Sequence, residues 1–207
     1  MNSYNQDFRV AKVPSNPMPE TLRCFIAIEL TPPIKDYIKH IQNDLKQSGA
    51  DVKWVEPQNA HLTLKFLGDV DLKEIGKIQE AIQEIAQGTI PIQTQLTQLG
   101  VFPKPSYPRV IWLGLEDKEK RIEELADKIE KAVRKFGIKK EARPFTAHIT
   151  LGRIKSFKNL KALMQSMKNY PSIEPRPQTI QEIILFKSTP TSTGPIYTPL
   201  VLCETNF

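Results

Sequence analysis

Apolar positions along this chain switch between two periods, and each switch marks an element. Residues 22–30 are apolar almost throughout, which suits a strand buried on both faces. Thr31-Pro32-Pro33 opens a helix with Thr31 as its cap, Ile34, Tyr37, Ile38, Ile41 and Leu45 recur at three- and four-residue steps, and Gly49 ends the run. A short extended piece at 52–55 and a turn at Pro57 and Asn59 lead to a strand from His61 to Leu67. Asp69 or Asp71 caps a second helix, whose apolar face is Leu72, Ile75, Ile78, Ile82 and Ile85. Residues 90–99 and 109–115 are predicted strands around the loop 102–108. A third helix carries Ile122, Leu125, Ile129, Val133 and Phe136 on one face, and alternating Lys and Glu on the other marks solvated surface. A strand at 147–153, a weakly helical stretch at 157–169 and strands at 180–187 and 196–204, joined by a turn at 192–195, complete the chain.

Strands thus interleave with three clear helices. That order predicts an α+β domain with helices outside and sheet surfaces facing a central cleft. Residues 1–20, with Pro14, Pro17 and Pro19, read as a flexible extension ahead of a single domain at 21–207.

Composition narrows the picture. A chain of 207 residues makes one domain or two small lobes sharing a core. No apolar run approaches a membrane span, and the first twenty residues lack the form of a signal peptide, so the cytoplasm is the expected location. Cys24 and Cys203 have no CxxC spacing and are expected as reduced core thiols. A net charge of +6 and a pI near 9.2 favour a polyanionic partner, although much of that charge is mixed Lys/Glu surface.

The informative feature is a repeat. His61-Leu62-Thr63-Leu64 recurs as His148-Ile149-Thr150-Leu151, and these two motifs use two of the three histidines. In a strand, i and i+2 share a face, so each motif presents one imidazole and one hydroxyl on one side and two aliphatic side chains on the other. Two such strands facing a cleft would bring together two imidazoles and two threonines. An imidazole titrates near pH 6.5, so a neutral ring can take a proton while a protonated ring gives one. Threonine hydroxyls can donate to phosphate oxygens. His40, beside Lys39, has no comparable setting and reads as surface. A metal site is the competing reading of paired histidines, but no His-x-His, His-x₃-His or nearby Cys/Asp cluster completes a ligand set.

At these residues the chain resembles the two-histidine (2H) phosphoesterases, and most closely the bacterial and archaeal RNA 2′,3′-cyclic phosphodiesterases, also called 2′-5′ RNA ligases. The resemblance runs from about Leu22 to Phe207. It is carried by the stretches at 23–28, 54–68 and 144–153, with support from Leu185-Phe186-Lys187-Ser188 and Gly194-Pro195-Ile196-Tyr197. It implies a bilobal fold with pseudo-twofold symmetry, one motif per lobe in a central groove, and no cofactor or metal. It implies His61 as proton donor, His148 as proton acceptor, Thr63, Thr150 and Arg153 on phosphate, and Phe66 and Tyr197 on a base. The implied reaction is metal-independent opening of RNA 2′,3′-cyclic phosphate ends to 2′-phosphomonoesters by a monomer, with weak reverse 2′-5′ ligation. The alternatives are another 2H substrate, such as 2′-5′ oligoadenylate or ADP-ribose cyclic phosphate, and a non-catalytic module that binds RNA ends. A short RNA footprint is expected.

One difficulty is visible at this stage. Phe66 and Arg153 lie five residues after their histidines, and an odd offset in a regular strand points away from the cleft. Their participation requires a bend, bulge or strand end, which Gly152 favours in the second copy. Lys65 should share a face with His61 and help with charge, while its counterpart is Gly152.

Overall fold

The computed structural model of the protein describes residues 20–192 and 194–206. In chain order the elements are β1 (Thr21–Glu29), α1 (Pro32–Lys46), β2 (Val52–Trp54), β3 (His61–Asp71), α2 (Leu72–Gln87), β4 (Ile92–Phe102), β5 (Val110–Leu115), α3 (Arg121–Arg134), β6 (His148–Ile154), α4 (Leu160–Lys168), β7 (Pro177–Ile180), β8 (Glu182–Pro190) and β9 (Pro195–Glu204). The α+β class expected from the sequence is what the chain adopts. The expected N-terminal extension lies outside the described residues except for Glu20, whose carbonyl accepts the Leu72 N–H at 3.0 Å.

All strand pairings are antiparallel, in the order β7-β4-β5-β6-β3-β1-β8-β9, with β2 as a further partner of β6. The sheet curls and divides at its middle. There β3 and β6 pair only through Leu62 and Ile149, the residues that directly follow the two motif histidines. Four strands of this order lie on each side of the junction, with β2 as a fifth beside β6, and the two sets of four give the molecule its pseudo-twofold form.

The helices close the backs of the two halves. In α1 the buried Gln42 donates through Nε2 to the carbonyls of Leu151 at 2.9 Å and Val55 at 2.7 Å, which docks α1 behind β6 beside α4. Helices α2 and α3 pack on each other and on β3, β8 and β9. Most of the apolar stripes read from the sequence are buried: Ile34, Ile38, Ile41 and Leu45 in α1, Ile78 and Ile82 in α2, Ile122, Leu125, Ile129 and Val133 in α3. Leu72, at the first position of α2, is instead exposed because the helix start lies at the edge of the contact. Strand β1 is buried from Cys24 to Ile28, as its unbroken apolar run required.

Asp71 provides the N-cap of α2, its carboxylate accepting the Lys73 N–H at 3.0 Å. Thr31 precedes α1 but makes no side-chain cap; its N–H donates to Gln178 Oε1 at 3.1 Å and ties the helix start to β7. The strand expected at 180–187 forms as β8, and a separate short strand not expected from the sequence, β7, precedes it and pairs with β4 at the other end of the sheet. No described helix is long and apolar enough to cross a membrane.

Candidate active site

The two histidines occupy matching positions at the junction of the halves. A 3₁₀ turn at Pro57–Asn59 precedes β3, and His61 Nδ1 lies 2.7 Å from the Asn59 carbonyl oxygen. His148 Nδ1 lies 2.7 Å from the Thr146 carbonyl oxygen, again two residues upstream. A carbonyl only accepts, so each Nδ1 carries the hydrogen. That leaves Nε2 as the free nitrogen, a lone pair in the neutral ring and an N–H donor in the imidazolium. The backbone therefore fixes the same tautomer twice.

Burial is the main force on both rings and holds their pKa values below the usual 6.5. The carbonyl bonds oppose that effect. The charges of Lys35 and His148 depress His61 further, and that of Arg153 depresses His148. His61 and His148 begin the adjoining strands β3 and β6, one residue before the Leu62–Ile149 pair, which places both in one site.

Thr63 and Thr150 are half-buried on the histidine face, while Leu62, Leu64, Ile149 and Leu151 are buried beneath them, as the motif periodicity predicts. Continuing the Leu62–Ile149 register by one residue either way sets His61 across from Thr150 and Thr63 across from His148. Each imidazole thus has the other motif's threonine as its cross-strand neighbour.

The odd-offset difficulty is resolved by bulges. On β3 the register with β1 slips between Lys65 and Thr63, skipping Leu64. On β6 the register with β5 slips between Gly152 and Thr150, skipping Leu151. These are equivalent positions, and one extra residue exchanges the faces beyond it. Phe66 and Arg153 emerge on the histidine side, both exposed. The Phe66 ring is 6.4 Å from Phe25, whose own ring is 4.8 Å from His61.

The bulge also corrects the expectation for Lys65. It does not share a face with His61. Its buried Nζ meets Glu130 Oε2 of α3 at 3.0 Å and Glu141 Oε1 at 3.4 Å, and donates to the Lys139 carbonyl at 2.8 Å. The counterpart Gly152 lies against β2, where an added Cβ would stand 2.7 Å from Val52 Cγ1 and 3.0 Å from Trp54.

Tyr197 reaches the site from β9. Its ring meets His61 edge-on at 5.3 Å and Phe25 at 4.8 Å. Burial raises its pKa, and Arg153, from the opposite half, and Arg23 pull it back. Phe25, Phe102, Trp112 and Lys53 escaped the sequence reading. Phe102 meets His148 edge-on at 5.0 Å and stacks with Trp112 at 5.1 Å, mirroring the Tyr197 wall beside His61. Gly100 makes room for that indole, since a Cβ there would lie 2.1 Å from it. Lys53 is directly opposite Arg153 in the β2–β6 pairing and so shares its face. The available signal was weak: an aromatic in a strand looks like core until its partner strand is known.

His40 is exposed on α1, 3.5 Å from Asp44, away from this face as expected. Cys24 and Cys203 are buried free thiols, and burial pushes Cys24 up to about 11. Among the described residues no three His, Cys, Asp or Glu side chains stand together as a metal-ligand group.

A pair of rigidly oriented imidazoles among hydroxyl and guanidinium donors defines a phosphoester-processing class of site. The family model of LigT-like phosphoesterases matches the chain twice, over residues 28–112 and 113–197, and the chain belongs to that family. It is 35% identical over 179 residues to a protein of Methanothermobacter thermautotrophicus named RNA 2′,3′-cyclic phosphodiesterase, covering 86% of this chain and 96% of that one. A protein of the same name from Aquifex aeolicus is 36% identical over 182 residues, covering 86% and 95%. The solved structure of E. coli LigT with 3′-AMP superposes with a TM-score of 0.71 at 26% identity, over 90% of this chain and 99% of that one.

Proposed function

We propose that this protein is an RNA 2′,3′-cyclic phosphodiesterase that hydrolyses the cyclic end to a 2′-phosphomonoester without a metal ion. The observation that carries this reading is the pair of Nδ1–carbonyl bonds at 2.7 Å, which leave both Nε2 atoms free for proton transfer on one face. The names of the relatives above point to the same reaction.

In this reading water attacks phosphorus opposite O3′. His148 Nε2 takes the water's proton as the new P–O bond forms. The P–O3′ bond breaks, and protonated His61 gives its Nε2 proton to the departing O3′. The phosphate stays on O2′, and the two rings end with their protonation exchanged. Thr63, Thr150 and Arg153 stabilise the charge gathering on the non-bridging oxygens. Phe66 and Tyr197 hold the terminal base. Burial favours the neutral ring suited to His148, while the substrate's negative charge favours the protonated form required of His61. Ligation through a 2′-5′ bond is the reverse step with a ribose hydroxyl in place of water, and should be weak.

The test is product chromatography after incubation of the protein with cyclic-phosphate RNA, 2′,3′-cyclic nucleotides and 2′-5′ dimers, with and without EDTA. The expected result is a 2′-phosphate product at an unchanged rate in EDTA. Release of a 3′-phosphate would overturn the assignment of the broken bond. Loss of activity in EDTA restored by zinc or manganese would overturn the metal-independent mechanism.

A further inference from the structure

Beyond the end of the groove stands a second feature that the motif chemistry does not use. Tyr107, in the β4–β5 loop, and Phe157, just after β6, are 43% and 65% exposed, whereas the Phe25, Phe102, Trp112 and Tyr197 rings against the histidines are buried or half-buried. Their ring centroids are 6.1 Å apart with planes tilted by 50°. The Arg109 guanidinium lies over the Tyr107 ring at 4.4 Å and donates to its hydroxyl. Two large rings exposed side by side form an apolar patch of the kind that marks an interaction surface.

Their position points to the partner. The pairing of Val110 with Arg153 brings the start of β5 to the phosphate-side end of β6, and the Ile154 N–H donates to the Arg109 carbonyl at 2.9 Å. Lys155 continues the contact through its N–H to the Asp51 carbonyl at 2.8 Å. The three segments that meet here, 51–53, 104–109 and 153–158, carry Lys53, Lys104, Arg109, Arg153, Lys155 and Lys158, all exposed, against Asp51 as their one acidic residue. A chain that is mixed in charge elsewhere is thus basic at this end of the groove, around two open rings.

We propose that Tyr107 and Phe157 form a stacking platform for unpaired nucleotides upstream of the RNA end, with Lys53, Lys155 and Lys158 holding the connecting phosphates. This rests on the phosphodiesterase reading and gives it a substrate class: a single-stranded RNA tail rather than a free cyclic nucleotide. The footprint is longer than the motif alone led us to expect. Stacking on protein rings accepts any base, since every base has a π-face, and basic side chains track the backbone without reading sequence.

The test compares wild type with the Y107A/F157A double variant on two substrates, 2′,3′-cyclic AMP and a short single-stranded oligoribonucleotide ending in a 2′,3′-cyclic phosphate. The expected result is a KM for the oligonucleotide about tenfold or more higher in the double variant, at unchanged kcat. The KM for cyclic AMP, which is too short to reach the platform, should stay the same. Y107F should keep the wild-type oligonucleotide KM, and thermal melts confirm that the double variant folds. A parallel anisotropy titration uses a fluorescent oligoribonucleotide with an unreactive 3′-phosphate, so binding is read without turnover. Equal affinity in wild type and double variant overturns the platform, whatever the hydrolysis result. A blunt hairpin bound as tightly as the single strand, with the same dependence on the two rings, overturns stacking of unpaired bases. Platform-dependent binding with no hydrolysis in wild type sinks the phosphodiesterase reading and leaves the platform standing.

Discussion

The half that carries His61 and the half that carries His148 agree in three features and part in two. They share the motif, the carbonyl that fixes the imidazole, and the bulge at its fourth residue. They differ at the next two positions: Lys65 and Phe66 in one, Gly152 and Arg153 in the other. What is shared is what proton transfer needs at both ends of a displacement. What differs fits the proposed substrate, whose terminal nucleotide would offer its base to Phe66 and its phosphate charge to Arg153. Under the proposed mechanism the pseudo-twofold axis relates the proton-transfer groups and is broken at the residues assigned to recognition.

The strongest way to break this comparison is to remove the shared parts one at a time. His61→Ala and His148→Ala should each lower turnover by roughly 10²–10⁴, because each removes one proton transfer. The two losses should be of similar size, measured as initial rates on cyclic-phosphate RNA with binding retained by both variants. A variant with more than half of wild-type turnover would show that its histidine is not in the proton path.

Next come the unequal fifth positions and their neighbours behind the sheet. Lys65→Ala strands Glu130 beside a cavity, and breaking a buried pair of this kind typically costs about 3–5 kcal/mol. Gly152→Ala forces the new methyl on Val52 and Trp54 and should cost about 1–3 kcal/mol. Chemical denaturation measures both. Losses of equal size would mean that the two strand backs are less different than Lys65 and Gly152 suggest.

A smaller effect should separate Phe66 from Arg153. Phe66→Ala should raise KM by about tenfold, as loss of one stacked base does, with little change in the dependence on salt. Arg153→Ala should flatten the salt dependence of KM, since one phosphate contact is gone. Titrating KM against potassium chloride distinguishes the two, and identical slopes would erase the assigned division of labour.

The smallest effect concerns pH. Both histidines have folded pKa values below 6.5, through burial first. The folded state therefore binds fewer protons than the unfolded state as pH falls through 6.5, so stability is full above that point and declines below it. Each histidine-to-alanine variant should lose part of this decline, seen as a flatter Tm against pH between about 7 and 5. For catalysis, kcat/KM should be bell-shaped with its optimum on the acid side of neutrality, because the free enzyme's proton donor is already mostly deprotonated at pH 7.

Much of this was readable from one sequence. The motif repeat located both histidines and both threonines, and periodicity located every helix and most strands. The misses have a common physical origin. Lys65 was placed on the wrong face because a bulge is fixed by pairing with a distant strand, and no local residue announces it. Phe25, Phe102 and Trp112 look like core in the sequence, since a strand does not say which of its faces a partner will cover. The strand expected at 180–187 is β8, while β7 has no counterpart in the pattern because its four residues, which include Pro177, become a strand only through pairing with the distant β4.

The placement of the helices has a consequence for how this molecule could be divided. The boundary between the two family repeats falls between residues 112 and 113, yet neither half of the chain builds either half of the sheet. Strands β1 and β3 need β8, backed by β9, beside them and α3 behind them, all from the C-terminal side of that boundary. Strand β6 needs β2 and β5 beside it and α1 behind it, all from the N-terminal repeat except the last three residues of β5. Expressed apart, each fragment would present unpaired strand edges and bare apolar faces. Expressed together, the two fragments carry a complete set of mutual partners. The junction at 112–113, internal to β5, is thus a poor place to cut, whereas the exposed stretch just before α3 is the natural point for a split enzyme whose activity reports reassembly.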